Sequence, residues 1–256
     1  MGKIGLVICL TSISLLSGCA HQASVSKVTA TNIYTNVDSK IQGETSFVID
    51  PASLSQLKRD NAIQGFICSA HRYPVDATDS FVASLPTMMN QVFESVQQVS
   101  TPTRDDRLNL VFRIERFEPR LRFNQGFWTA SADATVELAV SVTGTRGSER
   151  VLGTTVDSQR SKTGDGGGFC EGGGLVLGDA TRDALKDVLE KLGERIANSP
   201  AVRSPAGTLG SGSTRPVQQS GDRGKLSVQD AQAKCAELGL KRGTEDYARC
   251  VVRLGR

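Results

Sequence analysis

An alternation of apolar and polar residues between positions 130 and 142 is the pattern that most constrains the fold of this chain. Successive side chains of a β-strand point to opposite faces, so this alternation predicts a strand with one buried face and one face in water. Such strands occur in antiparallel sheets, which leave one face open to solvent. The apolar members of the series are Ala130, Ala132, Ala134, Val136, Leu138, Val140 and Val142.

Strands are also predicted on both sides of this segment. Leu108, Leu110, Phe112 and Ile114 alternate before it, and the turn sequence TGTRGSE leads to a strand over residues 150–158. Residues 107–158 therefore predict an antiparallel meander. Two earlier strands are predicted at residues 45–50 and 63–69, and the following sequence HRYPVD, residues 71–76, is typical of a turn.

Two amphipathic helices are predicted, one on each side of the meander. The first begins near Asp76 or Thr78, either of which is a good N-cap residue. Its apolar stripe consists of Phe81, Leu85, Met88, Met89, Val92, Phe93 and Val96. The second covers residues 175–197. The sequence thus predicts an α+β fold, a small antiparallel sheet with two helices on one face.

The first eighteen residues have the pattern of an export signal. Lys3 precedes an apolar run over residues 4–16, which ends at the small residues Ser17 and Gly18. A run of this length is shorter than the ~20 apolar residues that an ordinary transmembrane helix needs. Residues 1–18 are therefore predicted to be a cleaved signal peptide.

The end of this segment, LLSGCA, resembles the lipobox of bacterial lipoprotein precursors. The resemblance implies that the signal peptide is removed and that Cys19 becomes the first residue, carrying fatty acyl chains such as palmitate. Ala20 stands where an aspartate is associated with retention in the inner membrane. The resemblance therefore implies a lipid anchor in the outer membrane, with the chain facing the periplasm.

Composition divides the rest of the chain into four parts. Residues 20–42 are rich in Ser, Thr, Ala and Asn without a sustained period, and residues 199–225 are rich in Pro, Gly and Ser. The prediction is a lipid anchor and tether at residues 19–42, the α+β domain at 43–198, a disordered linker at 199–225 and a helical hairpin at 226–256.

An even number of cysteines remains after the signal peptide and the anchor cysteine are excluded from the count. Of six cysteines, Cys9 leaves with the signal peptide and Cys19 is lipidated, which leaves Cys68, Cys170, Cys235 and Cys250. Four thiols in an oxidising compartment suggest two disulfides, with three possible connectivities. A hairpin would bring Cys235 and Cys250 together, and Cys68 would then pair with Cys170 by elimination. Free or metal-binding thiols are the alternative.

The predicted hairpin contains the sequence CAELGLKRGTEDYARC, residues 235–250. It resembles a short motif bounded by two cysteines, C-x-x-LG-x-x-x-GT-x-x-[YF]-x-x-C, found in many bacterial envelope proteins. No activity follows from this resemblance, which covers about 30 residues.

Cys68 and His71, spaced C-x-x-H, are the pair most suggestive of catalysis. A thiolate needs a neighbouring base or cation to react, so a cysteine enzyme would use them as nucleophile and base. With Cys170 they would supply three zinc ligands, although the spacing matches no closed zinc pattern. The glycine-rich sequence GDGGGFCEGGG precedes a predicted helix but lacks the GK[ST] of a phosphate loop, and its Asp165 and Glu171 would repel phosphate.

Basic residues interleave with phenylalanines in the sequence RIERFEPRLRF, a pattern that a strand with one solvated face also produces. The arginines are Arg113, Arg116, Arg120 and Arg122. They suggest an interaction surface, for which peptidoglycan or another anionic envelope polymer is a candidate. Since signal-peptide removal also takes away Lys3, the net charge falls below the +3 of the whole chain, which does not favour nucleic acid.

These patterns together favour a non-enzymatic lipoprotein that acts as a binding or assembly accessory factor for an envelope complex. Neither a catalytic residue, a cofactor nor a metal site is predicted. The expected partners are the membrane, through the lipid, and another envelope protein. A peptidoglycan- or polymer-binding lipoprotein is the alternative, and a cysteine-dependent enzyme built on Cys68 and His71 is a further one.

Overall fold

A computed structural model describes residues 19–63, 67–103, 106–125 and 130–204. The predicted signal peptide, most of the predicted linker and the predicted hairpin with Cys235 and Cys250 lie outside the described residues. Within them the chain is α+β, as predicted, with a five-stranded sheet, a two-stranded sheet and two long helices.

Seven strands and four α-helices follow one another along the described part of the chain. The elements are β1 (Ile41–Ile49), α1 (Pro51–Leu54), β2 (Lys58–Ala62), β3 (Arg72–Asp76), α2 (Thr78–Val92), β4 (Phe93–Gln98), β5 (Leu108–Gln125), β6 (Ala130–Arg146), β7 (Glu149–Asp165), α3 (Gly172–Ala197) and α4 (Pro200–Arg203). A short 3-10 helix, Ser55–Leu57, follows α1.

The main sheet is mixed, which corrects the prediction of an antiparallel sheet. Its strand order is β4-β1-β5-β6-β7. β5, β6 and β7 form the predicted antiparallel meander, whereas β1 runs parallel to both β4 and β5. Parallel neighbours need a long crossover connection, and the chain from β1 through α2 to β4 supplies one.

The predicted face of β6 forms the centre of the core. From Ala132 to Val142, every second side chain is at most 1% exposed. Helix α3 packs across β6 and β7 and buries its own apolar face, including Leu177, Leu185 and Leu192, against them. Period-two patterning therefore identified both the strand and its buried side correctly.

Helix α2 is shorter than its apolar stripe suggests. It ends at Val92, and Phe93 and Val96 belong to β4 instead. The backbone amide of Phe93 still bonds to the carbonyl of Met89, but its φ and ψ are extended. The apolar residues keep a helical spacing beyond Val92, but the pairing of β4 with β1 makes the backbone extended there. At the other end the N-cap residue is Ala77, which corrects the prediction of Asp76 or Thr78. The carboxylate of Asp76, one residue before the cap, accepts from the amide of Thr78 at 2.9 Å.

The prediction of a strand at residues 63–69 and a turn at 71–76 is wrong. Residues 67–70 form a turn, and β2 and β3 pair as an antiparallel ribbon before and after it. Opposite charges across the ribbon stabilise this register, with Lys58 2.9 Å from Asp76 and Arg72 bridged to Asp60. Tyr73 and Val75 are the buried residues of β3, an alternation that the intervening Pro74 obscures.

Residues 19–40, predicted to be a tether, lie along the domain. Ala20 and Ala23 form parallel bridges with Arg72 and Val75 of β3, and Ala23 is fully buried. The backbone amide of Val28 donates to the hydroxyl of Ser84 on α2 at 2.9 Å. The domain therefore includes this segment, and its predicted start at residue 43 is corrected.

The second half of the segment follows helix α3. One carboxylate oxygen of Glu190 accepts from the amides of Thr31 and Asn32, each at 2.9 Å. Further on, the side-chain amide of Asn198 donates to the carbonyl of Tyr34 at 2.8 Å. The segment has no secondary structure of its own, so its backbone groups need other hydrogen-bond partners. The side chains of Glu190 and Asn198 supply them and fix the path of the segment.

Replacing Gly178 by alanine is expected to lower the free energy of unfolding by about 1–3 kcal/mol, as other overpacked sites do. Alanine in a helix interior normally stabilises relative to glycine. Here the added Cβ would collide with the carbonyl oxygen of Ser24, a backbone atom of the packed segment. Chemical denaturation of the mature chain measures the difference.

Gly168 provides the control, since a Cβ added there meets nothing within 4 Å. Its replacement by alanine is expected to change stability by less than ~1 kcal/mol. A stabilising Gly178→Ala substitution would show that the segment does not lie against α3.

Candidate functional site

The candidate site is the end of the domain at which Cys19 lies. Among the described residues Cys19 is the free cysteine, and it is exposed. Its carbonyl oxygen accepts a hydrogen bond from the amide of Arg72 at 3.2 Å. The next residue, Ala20, forms a bridge with the same arginine. Strand β3 thus holds the backbone of Cys19 while the thiol remains accessible.

Two histidines, the whole complement of the chain, meet beside Cys19. Nε2 of His21 lies 2.9 Å from Nδ1 of His71, and the ring centroids are 4.9 Å apart in a stacked arrangement. A bond between two imidazole nitrogens needs one donor and one acceptor, so at least one of the rings is neutral. Sequence reasoning missed this pair because it placed His21 in a free tether.

The disulfide between Cys68 and Cys170 confirms that part of the predicted pairing. The two Cα atoms are 5.8 Å apart, and the bond closes a loop with a sequence separation of 102. Because Cys68 has no thiolate in this state, the alternative enzyme built on Cys68 and His71 lacks its nucleophile. The same bond uses both sulfurs of the zinc-ligand alternative. The predicted Cys235–Cys250 pairing stays a prediction, since those residues are not described.

Tyr73 connects the histidines to the disulfide. Its ring stacks with that of His21 at a centroid distance of 5.5 Å, and its hydroxyl donates to the carbonyl of Cys170 at 2.8 Å. Burial, together with the nearby carboxylate of Glu171, raises the pKa of the Tyr73 phenol to about 12. The phenol is therefore a structural donor at physiological pH.

Alkaline titration is expected to show a late step that belongs to Tyr73. An unfolded tyrosine ionises near ~10, so between that pH and about 12 the unfolded chain loses its proton first and stability falls as pH rises. Phenolate absorbance measures the titration. The Tyr73→Phe variant should lack the late step, and a curve of unchanged shape in that variant would contradict the assignment.

The glycine-rich loop after β7 is organised by its own carboxylates. Asp165 accepts from the amide of Gly167 at 3.0 Å, and Glu171 accepts from the amide of Phe169 at 2.8 Å. Hydrogen bonds from the amides of Glu171 itself and of Phe169 hold the pKa of the Glu171 carboxyl below its usual range. Carboxylates thus take loop amides that a phosphate cradle would need, which agrees with the prediction against phosphate.

Two large apolar side chains project from this loop and the start of α3. Phe169 is 82% exposed and Leu175 is 72% exposed. Phe169 precedes Cys170, which is held to β3 by the hydrogen bond from Tyr73. Leu175 follows Gly174, which lies close to the N-terminal segment. A Cβ added at Gly174 would lie 3.1 Å from the carbonyl oxygen of His21. The sequence placed Phe169 in a surface loop and Leu175 at the start of a helix, and it did not predict that both side chains would be exposed.

Three of the four arginines of the predicted surface form ion pairs with neighbouring carboxylates. Arg113, Arg116, Arg120 and Arg122 all lie exposed on β5. Arg113 lies 3.0 Å from Asp50, while Arg116 and Arg120 lie 3.8 and 3.3 Å from Glu137. Arg122 stands opposite Asp133 in the sheet register. Paired charges on an open face offer little net attraction to an anionic polymer, so this surface does not favour the peptidoglycan alternative.

No helix within the described residues combines the length and apolar character needed to cross a bilayer. No family model matches the sequence, and the search among curated proteins gave no significant match.

Similar solved structures include a Xanthomonas campestris protein of the family DUF330 and a minor lipoprotein of Acinetobacter baumannii. The first is 13% identical, with 68% of this chain and 92% of that chain covered and a TM-score of 0.38. The second is 13% identical, with 60% and 90% covered and a TM-score of 0.33. A Chlamydia trachomatis protein is 7% identical, with 60% and 98% covered and a TM-score of 0.27.

Proposed function

We propose that this chain is a bacterial lipoprotein that is anchored through Cys19 and acts without catalysis as a binding or assembly factor in the cell envelope. The observation that carries the proposal is the different state of the described cysteines. Cys68 and Cys170 are joined, whereas Cys19 is exposed and free at the position where the lipobox resemblance puts the lipid. The outer membrane, on its periplasmic side, is the proposed location, because Ala20 replaces the retention aspartate.

The sheet supplies the surface proposed for the envelope partner. β7 is an edge strand of 17 residues, which spans about 55 Å at the usual rise of ~3.3 Å per residue. Its outer row of backbone donors and acceptors has no strand partner among the described residues. An extended segment of another protein binds such an edge by strand addition, with backbone hydrogen bonds providing the affinity.

Metabolic labelling with an alkyne-bearing fatty acid tests the anchor. The wild-type chain should incorporate the label and fractionate with membranes, whereas Cys19→Ala should lose both properties. Cys9→Ala is the matched control, because it also removes a cysteine near the N-terminus but leaves the proposed acylation site intact. Labelling that persists in Cys19→Ala would contradict the proposal.

Photo-crosslinking in living cells tests the binding role. A crosslinking amino acid at the exposed Gln159 on β7 should give a discrete adduct with one envelope protein, and the same group at the exposed Glu94 on the opposite edge strand should not. Equal background from both positions would contradict an accessory role that uses the β7 edge.

A further inference from the structure

We propose that the domain itself contacts the bilayer, with Phe169 and Leu175 inserted among the lipids beside the acyl chains on Cys19. The inference rests on the proposed lipidation of Cys19 and extends it to the orientation of the folded domain. It assigns a partner of stated chemistry, a lipid surface, to two large apolar side chains that are mostly exposed to water.

The first step is that the proposed lipid attachment site, Cys19, is held directly against the folded domain. Strand β3 holds Cys19 through the bond from the Arg72 amide, and the first turn of α3 lies on the other side of His21. A flexible tether over residues 20–42 would allow a separation of about 25 Å between lipid and domain. Packing of this segment removes that freedom, so this end of the domain lies at the membrane surface.

The second step is that the exposed apolar residues lie at this same end. Phe169 adjoins Cys170, whose carbonyl receives the Tyr73 hydroxyl, and Leu175 adjoins Gly174, where an added Cβ would lie 3.1 Å from the carbonyl oxygen of His21. Tyr73 also stacks on His21, two residues after Cys19. Large apolar side chains are unfavourable in water and favourable at the boundary between headgroups and acyl chains.

Charge around the patch determines which kind of membrane contact applies. The loop that carries Phe169 also carries Asp165 and Glu171, and both carboxylates accept loop amides. Negative groups at this position do not attract anionic headgroups. The contact is therefore apolar, and it requires no acidic lipid.

Tyr34 provides a matched control at the far end of the domain. It is 72% exposed, the same fraction as Leu175, and its carbonyl bonds to Asn198 just beyond the end of α3. Along α3 the positions 175 and 198 are about 35 Å apart. A side chain at position 34 therefore lies outside the bilayer in the proposed orientation.

The test measures depth in the lipidated full-length protein, reconstituted in neutral phosphatidylcholine vesicles. A fluorescent amino acid that senses polarity is incorporated in place of Phe169, Leu175 or Tyr34, which leaves the native cysteines of the chain unchanged. All three positions are exposed, so the substitutions leave the core intact. Vesicles with brominated acyl chains should quench the labels at 169 and 175 and leave the emission at 34 unchanged.

Each outcome separates the inference from the proposed function. If the protein carries no lipid and does not float with vesicles, the proposed anchor is wrong and the inference falls with it. If the protein is acylated and floats but the labels at 169 and 175 escape quenching, the anchor stands and the membrane-facing patch is wrong. Equal quenching at all three positions would also overturn the proposed orientation.

Discussion

Replacing Cys68 and Cys170 together by alanine is expected to lower the free energy of unfolding by about 5 kcal/mol, the chain-entropy value for a loop of about 100 residues. The native bond closes a loop with a sequence separation of 102 and joins the turn before β3 to the loop before α3. Both cysteines have left-handed φ values, 59° and 64°. Alanine shares the backbone strain of cysteine there, so the difference reports the loss of the bond.

Denaturation of the mature chain with and without reductant measures this effect. With Cys235 and Cys250 also replaced by alanine in both proteins, the chain without Cys68 and Cys170 should be insensitive to reductant. The chain that keeps the Cys68–Cys170 bond should lose a similar amount of stability when reduced. A drop below ~1 kcal/mol in both experiments would contradict a stabilising role, because native disulfides typically contribute ~2–5 kcal/mol.

Phe112→Ala is expected to lower the free energy of unfolding by about 3–5 kcal/mol, the usual cost of removing a buried phenylalanine. Phe112 is fully buried on β5, where its ring meets Phe47 of β1 edge-to-face at 6.2 Å. The sequence predicted both strands but not their parallel pairing, so the cavity would open where the observed sheet departs from the prediction.

Phe169→Ala is the matched control for the same measurement. It deletes the same atoms from a side chain that is 82% exposed, so the stability in solution should change by less than ~0.5 kcal/mol. If Phe169→Ala were as destabilising as Phe112→Ala, the ring at 169 would have to be buried, and it would not be available to lipid.

Period-two alternation predicted β6 correctly because one packing contact, that of the sheet with helix α3, determines which side chains of the strand are buried. Helix α3 covers one face of the meander, so the side chains from Ala132 to Val142 alternate between core and water over the whole strand. The disulfide between Cys68 and Cys170 was predictable for a different reason: the number of remaining cysteines is even, and assigning Cys235 and Cys250 to the hairpin left these two by elimination. Both signals are carried by the residues themselves and need no knowledge of distant contacts.

Strand β4 was not predictable from its own residues. Phe93 and Val96 continue the helical spacing of α2, and only the parallel pairing with β1 makes the chain extended from residue 93. The same limitation applies to β3, where Pro74 is typical of a turn but lies in a ribbon held by charge pairs. In both cases tertiary pairing overrides the local pattern.

The path of residues 19–40 had no local signal at all. Ser84, Glu190 and Asn198 bind backbone groups of this segment, and these side chains come from helices that are distant in sequence. The His21–His71 contact depends on that path, as does the closeness of Cys19 to Phe169 and Leu175. The candidate site is therefore a product of the fold. The sequence singled out Cys19, His71 and the two cysteines of the disulfide separately, but it gave no sign that they lie at one end of the domain.

Limited trypsin digestion of the membrane-bound protein tests most directly whether the anchor joins the domain without a tether. Lys27 and Lys40 lie in the segment in question, and cleavage needs local release of the backbone from the domain. The packed segment predicts that both bonds stay intact and that the fragment containing residues 19–204 remains with the membrane until the protein is heat-denatured. Rapid cleavage after Lys27 or Lys40, with release of the folded domain into the supernatant, would contradict the account.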